Sequence, residues 1–221
     1  LSAAIELFFA TDDPKYKDFF LPIITEQINP NTKGKKKNAV APVNFSSNIP
    51  TILRIYDYLD PKTQAKVDAA IPAYVENLMK SGSDNPYGVP ITGAGWAGNG
   101  TVINTSYNLY LVWQKYPDLV DPEKILQGLN YLFGCHPYSN VSFVTAVGVN
   151  TKNVAYGNNR ADYTVIPGGI VPGLIVKNPD FLENKDDYPF HWGENECCIN
   201  TAPQYVRYVL GCMEVAEFLN K

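Results

Sequence analysis

The sequence has little of what nucleic-acid-binding and membrane proteins require. Only three of its 18 basic residues are arginine, and the formal net charge is −4. Nucleic-acid binding needs a basic face over phosphates. The one basic cluster, Lys33–Lys37, lies in a polar stretch rich in asparagine and proline, which is typical of a solvated loop. No apolar run approaches the roughly 18 residues of a membrane helix, and the first residues do not have the pattern of a signal peptide. We therefore expect neither nucleic acid nor membrane as a partner.

Histidine and cysteine are also scarce, with two and four residues. The sequence has no CxxC pair and no zinc-type Cys/His spacing, so we predict no metal site and no cofactor. His136 directly follows Cys135, and Cys197 and Cys198 are adjacent. We interpret the cysteines as small buried thiols.

The sequence does contain the pattern of paired helices. Three Asp-Pro pairs, at 13–14, 60–61 and 121–122, each place a capping carboxylate before a proline at the first helical position. Apolar residues at helical spacing follow each pair, and we expect Pro72 to kink the second of these helices. Further helices are predicted over Ser2–Ala10, Ile49–Leu59, Val102–Lys115 and Pro203–Asn220. Because alternating strand patterns are almost absent, residues 1–221 are predicted to be all-α and built of helical hairpins.

The unusual residues lie in two long polar segments, Asn85–Gly100 and Cys135–Asn200. Loops longer than about 15 residues are uncommon in compact domains unless they carry function. Just before the last helix, Asp187 and Glu196 flank Trp192. Cleaving a glycosidic bond needs one carboxylic acid to protonate the leaving oxygen and one carboxylate to activate water or attack carbon. An acid beside an indole ring can have a raised pKa, although acids before a helix are also typical of capping.

Two further loop motifs have side chains that suit sugar hydroxyls. The stretch from Tyr156 to Arg160 contains Asn158 and Asn159, and its amides and guanidinium can form several hydrogen bonds. Trp96, in the glycine-rich stretch 95–99, can form an aromatic floor under a sugar ring. A loop-ordering salt bridge at Arg160 and a packed turn at Trp96 are the purely structural alternatives.

Three segments resemble glycoside hydrolase family 9 (GH9), in the order in which that family has them. They are residues 129–140, the loop that ends at Arg160, and Trp192-Gly-Glu-Asn-Glu196. The stretch Trp96-Ala-Gly-Asn99 resembles it too. Members of that family are cellulase-like endo- and exo-glucanases that fold as an (α/α)6 barrel, or toroid, of six helical hairpins. The resemblance runs from about Asn85 to the C-terminus.

The resemblance implies roles for individual residues. Glu196 matches the family's general acid, and Arg160 matches the arginine that lines the substrate cleft. Asp187 falls near the acidic position upstream of the acid, one residue out of register. Asn158 and Asn159 stand where the family usually has two histidines. Their amides can still recognise sugar hydroxyls, whereas the standard cellulase specificity does not follow from them. The implied substrate-binding residues are Arg160, Asn159, Asn158, Tyr156, Trp192, Asp187, Trp96 and His136.

The family's general base comes from an Asp-Ala-Gly-Asp-type motif in its N-terminal half, and this motif is absent here. Residues 1–221 therefore resemble the C-terminal half of the barrel, which supplies the acid without the base. The implied partner is the N-terminal half, on the same or a separate chain. The implied function is inverting hydrolysis of a β-linked glucan or related plant polysaccharide, in an extracellular or periplasmic location.

Two alternatives stay open. A carbohydrate-binding module would have kept the cleft and lost catalysis, which is consistent with the missing base. A polysaccharide lyase on a similar toroid would need a tyrosine or histidine base and a group that neutralises a uronate. The sequence has two histidines and three arginines, so it contains few residues that could fill these two roles.

Overall fold

The structure is a computed structural model, and it describes residues 1–28, 45–83, 87–90, 95–96, 98–135, 141–151, 167–170, 174–175 and 202–221. In these ranges the helices are α1 (Ser2–Thr11), α2 (Pro14–Ile28), α3 (Phe45–Arg54), α4 (Pro61–Lys80), α5 (Gly98–Lys115), α6 (Pro122–Leu132) and α7 (Ala202–Leu219). The strands are β1 (Gly95–Trp96), β2 (Val141–Ser142), β3 (Asn150–Thr151) and β4 (Leu174–Ile175). The prediction of an all-α chain is confirmed. The chain divides into two compact units, residues 1–75 and 76–221, and each is described by itself.

All three Asp-Pro pairs begin helices as predicted. Asp13, Asp60 and Asp121 each accept, through Oδ1, a hydrogen bond from the backbone N–H two residues further along, at 3.0–3.1 Å. These bonds satisfy donors that the first helical turn leaves without a partner. Asp60 also accepts a bond from the Thr63 hydroxyl at 2.6 Å, and this bond, with that from the Thr63 backbone, lowers the pKa of the Asp60 carboxyl.

The first unit packs α1 against α2 around Phe8. The Phe8 ring meets the edges of Phe20, at 5.8 Å between centroids, and of Tyr58, at 5.2 Å. Asp12 closes α1 in the left-handed region, with φ 54°, and its N–H donates to the Phe8 carbonyl at 2.8 Å. The turn between the two helices is therefore short, so they form the hairpin that the sequence predicts.

The second unit is built on α5, α6 and α7, which pack against one another. A 3₁₀ turn at Pro117–Leu119 joins α5 to α6, so these two helices are antiparallel neighbours. Helix α7 runs parallel to α5, because Tyr110 donates to Glu214 at 2.6 Å and, one turn further along both helices, the rings of Trp113 and Phe218 meet at 5.3 Å. The N-termini of α5 and α7 and the C-terminus of α6 therefore lie at the same end of this unit.

Two helix predictions of this paragraph differ from the structure, and one is not tested by it. Helix α3 ends at Arg54, and a 3₁₀ turn over Tyr56–Tyr58 replaces the helix predicted to reach Leu59. Helix α4 has Pro72 in its interior, and the kink expected there stays a prediction. Its neighbour Ile71 is fully buried, so packing offsets the hydrogen bond that proline cannot make. Helix α5 begins at Gly98, earlier than the predicted Val102.

The cysteine prediction is correct for one thiol and wrong for another. Cys212 is buried in α7, whereas Cys135 is exposed just after the end of α6. Gly134, with φ 98°, turns the chain away from the helix at that point. Cys197 and Cys198 lie outside the described residues.

Candidate functional site

The long segments of the second unit attach to one end of its three helices. Residues 81–97 lead into the N-terminus of α5, and residues 133–201 connect the C-terminus of α6 to the N-terminus of α7. Only the short link 116–121 lies at the opposite end. Every residue that the sequence analysis singled out for the site belongs to one of the two long segments.

Strand β1 joins these two segments directly. Gly95 pairs with Ile175 and Trp96 with Leu174, in the antiparallel sense. Strand β4 also contacts α5. The backbone of Trp96 is thereby held beside the start of the stretch that continues towards α7.

Residues 141–151 fold back onto the end of α6. Phe143 N donates to the Leu132 carbonyl at 2.9 Å. Ser142 Oγ donates to the Val144 carbonyl at 3.1 Å and accepts from Val144 N at 3.0 Å. The side chains of Ser142, Phe143 and Val144 are at most 1% exposed, and the Phe143 ring packs 5.6 Å from that of Tyr131. Residues 142–145 of this loop are therefore part of the core.

Both ends of the stretch that contains Arg160 are anchored on this buried loop. On one side, β3 pairs with β2 in the parallel sense. On the other side, Ile170 forms an antiparallel bridge with Val144. Thr145 N donates to the carbonyl of residue 169 at 2.9 Å, and the N–H of residue 168 donates to the Thr145 carbonyl at 2.8 Å. Because of these anchors, the chain leaves at Thr151 and returns at position 167 close to the C-terminus of α6.

The first turns of α7 bring desolvated groups to the helix interface. Burial raises the pKa of Tyr205 and, more strongly, that of the fully buried Tyr208. Burial also raises the pKa of the Cys212 thiol to about 11. These groups are consequently protonated at neutral pH and serve packing rather than proton abstraction.

Of the nine predicted site residues, the structure describes only the backbone of Trp96. Eight lie outside the described residues: Glu196, Arg160, Asn159, Asn158, Tyr156, Trp192, Asp187 and His136. Their roles stay predictions. The structure describes only the residues that flank them. Cys135 directly precedes His136, and α7 begins six residues after Glu196.

The residues that anchor this end of the unit were not predicted from the sequence. The stretch from Cys135 to Asn200 was expected to be one long loop, whereas Phe143, Val144 and Ile170 are core residues. The apolar run from Val141 to Val144 was the available signal. It is too short to distinguish a strand from a packed loop.

Among the residues that the structure describes, no group of three or more His, Cys, Asp and Glu side chains is arranged to hold a metal ion.

In that same described part of the chain, no helix is both long enough and apolar enough to cross a membrane.

No protein-family model and no curated protein matches the chain. Solved structures do. The GH family 9 endoglucanase J30 is similar with a TM-score of 0.52 and 22% identity, over 76% of this chain and 31% of that one. A Zn-binding triple mutant of that enzyme gives 0.53 and 22%, over 77% and 31%. A Bacteroides ovatus GH9 protein gives 0.58 and 17%, over 95% and 38%.

The fold is of the GH9 type. At these identities the likeness shows the fold alone. The chain spans 31–38% of the length of these three structures, so it corresponds to part of an all-α toroid.

Proposed function

We propose that this chain is the acid-bearing part of a glycoside hydrolase that cleaves β-linked glucan, or a related plant polysaccharide, with inversion. Glu196 protonates the leaving glycosidic oxygen. A carboxylate outside these 221 residues activates water on the opposite face of the sugar. In inverting enzymes the two carboxyl groups lie roughly 6.5–9.5 Å apart, which leaves room for that water.

The other predicted residues bind the sugar chain. Arg160, Asn158, Asn159 and Tyr156 form hydrogen bonds with hydroxyls, because guanidinium, amide and phenol groups together offer donors and acceptors. Trp192 and Trp96 stack on sugar faces. Asp187 and His136 complete the polar lining. No metal takes part in this chemistry.

One observation carries the proposal. The β1–β4 pair and the anchors at Val144 and Ile170 bring the attachment points of all the site-bearing stretches to one end of the α5–α6–α7 unit. A cleft for a polymer needs its binding groups on one face, and groups on stretches attached at opposite ends of the helices would not meet that need. The likeness in fold to two GH9 endoglucanase structures supports the same reaction class.

The remaining part of a GH9-type toroid is the proposed partner. The chain spans 31–38% of the length of the similar structures, and its sequence lacks the base motif. We therefore expect hydrolysis only when the N-terminal part is present, on the same or a separate chain. Because polymers of this kind are degraded outside the cytoplasm, the proposed location is extracellular or periplasmic.

The decisive test compares Glu196→Gln with the matched control Glu194→Gln in the chain completed by its N-terminal part. The same charge is removed two positions apart. Loss of a general acid costs about 10²- to 10⁴-fold in kcat on a glucan, and we expect this loss at position 196 and not at 194. On a dinitrophenyl β-cellobioside, whose leaving group departs without protonation, Glu196→Gln is expected to cost far less. Equal losses on both substrates would refute the role of Glu196.

A carbohydrate-binding module is the second candidate, and the missing base motif is the observation that favours it. Isothermal titration of the completed protein with cellohexaose separates the two functions. Binding without release of reducing ends would identify the module, whereas turnover with inverted anomeric configuration would identify the hydrolase. Turnover of a polyuronate with formation of an unsaturated product would identify a lyase instead.

A further inference from the structure

The sequence contains four Asn-X-Ser/Thr triplets, which begin at Asn44, Asn99, Asn104 and Asn140. This triplet is the acceptor of N-linked glycans in chains that pass through a eukaryotic secretory pathway. Asn44 and Asn140 lie outside the described residues. The other two asparagines both belong to helix α5, and their surroundings differ. The structure therefore distinguishes between these two triplets.

Asn99 lies in the first turn of α5 and is fully buried. The residues on either side of it, Gly98 and Gly100, are buried as well. A glycan is bulky and hydrophilic, so it has to reach solvent. The folded structure offers no path to solvent for a glycan on the Asn99 side chain. A chain that was modified there would not form this part of the fold.

Asn104, in contrast, is exposed. Because successive helical residues turn by about 100°, Thr101 and Asn108 lie on the same side of α5, one turn away in either direction. Both are polar and half-buried. Val102 and Trp113 lie on the opposite side of the helix and are buried. The surface of α5 around Asn104 is therefore a polar, solvent-facing strip, which suits a glycan.

Ser106 supplies the hydroxyl that completes the triplet of Asn104. It is only 4% exposed, and a Cβ built on Gly128 of α6 would overlap its Oγ atom. The transferase recognises the hydroxyl as well as the asparagine. The transfer therefore takes place before α5 packs on α6. Once the chain is folded, the hydroxyl is hidden and Asn104 stays at the surface, so a glycan on Asn104 is compatible with the fold.

We propose that Asn104 is an N-glycosylation site of this chain. The co-reactant is a lipid-linked oligosaccharide diphosphate. The Asn104 Nδ2 atom forms a bond to the anomeric carbon of the sugar, and the bond from that carbon to the diphosphate oxygen breaks. The lipid diphosphate leaves, and one Nδ2 proton passes to a base of the transferase. This site rests on the export proposed above and not on hydrolysis, and it requires that the remaining part of the toroid leaves the strip around Asn104 uncovered.

Secretion of the completed chain from yeast, behind a secretion signal, tests the proposal. Peptide mapping after treatment with a peptide N-glycosidase identifies each acceptor, because the enzyme converts a glycosylated asparagine to aspartate. Asn104 should be recovered as aspartate and Asn99 as asparagine. Asn104→Gln should remove one glycan from the intact mass. Asn108→Gln is the matched control, since Asn108 lies on the same strip but begins no such triplet, and it should leave the mass of the glycan unchanged.

Two further variants separate the triplet from the asparagine and the glycan from the hydrolase proposal. Ser106→Ala keeps Asn104 and should still abolish its glycan. Glu196→Gln should keep the glycan, whereas Asn104→Gln should leave hydrolysis of the glucan unchanged. Recovery of unmodified Asn104, a glycan on Asn99 in the folded protein, or a glycan on Asn104 that survives Ser106→Ala would each overturn the proposal.

Discussion

Gly128 is the position at which the packing of α5, α6 and α7 is most open to test. A Cβ built on Gly128 would overlap Ser106 Oγ of α5 and lie 2.8 Å from Tyr208 Oη of α7. Tyr208 is fully buried, and its hydroxyl donates to the Ile125 carbonyl of α6. Gly128→Ala therefore forces Ser106 or Tyr208 to move within a filled interface.

The size of the effect follows from three contributions. Overpacking a filled core costs about 1–3 kcal/mol, and displacing the Tyr208 hydroxyl from its acceptor costs about 1 kcal/mol. Alanine regains about 1 kcal/mol of helix propensity over glycine. The net loss in the free energy of unfolding is about 2 kcal/mol, which lowers Tm by about 4–8 °C for a chain of this size.

Thermal and urea denaturation, followed by circular dichroism, measure this loss. Ser106→Ala removes the overlapping Oγ, so the cost of Gly128→Ala should fall by about 1 kcal/mol in that background, as a double-mutant cycle would show. Asn104→Ala, on the exposed face of α5, is the control and should raise stability slightly. If Gly128→Ala raises Tm, as helix propensity alone requires, the three helices do not meet as described.

Three further outcomes are expected. Hydrogen bonds at the helix N-terminus lower the pKa of the Asp60 carboxyl below its ordinary value of 3.8. The ionised carboxylate therefore stabilises the fold above pH 3.8, and this stabilisation is lost as the pH falls through the lowered pKa. Asp60→Asn should flatten the acid denaturation curve in that pH range. With a pKa of about 11 and a buried site, Cys212 should resist a thiol reagent that labels the exposed Cys135 within minutes, as peptide mapping would show. In the isolated chain, Leu210→Gln should change stability by less than about 0.5 kcal/mol, whereas Val215→Ala should cost about 2 kcal/mol, because their side chains are 60% and 0% exposed.

Local signals made the helices predictable. An aspartate before a proline binds the N–H groups of the next turn whatever the rest of the chain does, and all three such pairs begin helices. Helix ends were less predictable. The 3₁₀ turn at Tyr56–Tyr58 replaces helix where the pattern of apolar residues alone gives no reason to stop.

Contacts between distant parts of the chain could not be read in this way. The pairing of Trp96 with Leu174 involves strands of two residues, which are too short to show any alternation. The need for glycine at position 128 depends on Ser106 and Tyr208, which come from two other helices. For the candidate site, the sequence therefore supplied residue types, whereas the structure supplied the common end at which their segments are attached.

Helix α7 bears on the proposed partner, because apolar residues lie on its exposed side as well as on its buried side. Tyr208 and Val215 are fully buried. Val206, Leu210 and Met213 lie on the opposite face, since successive helical residues turn by about 100°, and they are 56%, 60% and 59% exposed. Glu217 lies on the same exposed side, so this side is apolar in part, and a cluster of exposed apolar side chains is typical of a contact surface. Because the chain covers at most 38% of the similar GH9-type structures, the remaining helices of such a fold are the occupant that we propose for this face. In the completed protein Leu210→Gln should then cost several kcal/mol, although it is nearly neutral in the isolated chain; an equally small effect in both would exclude this face as the contact.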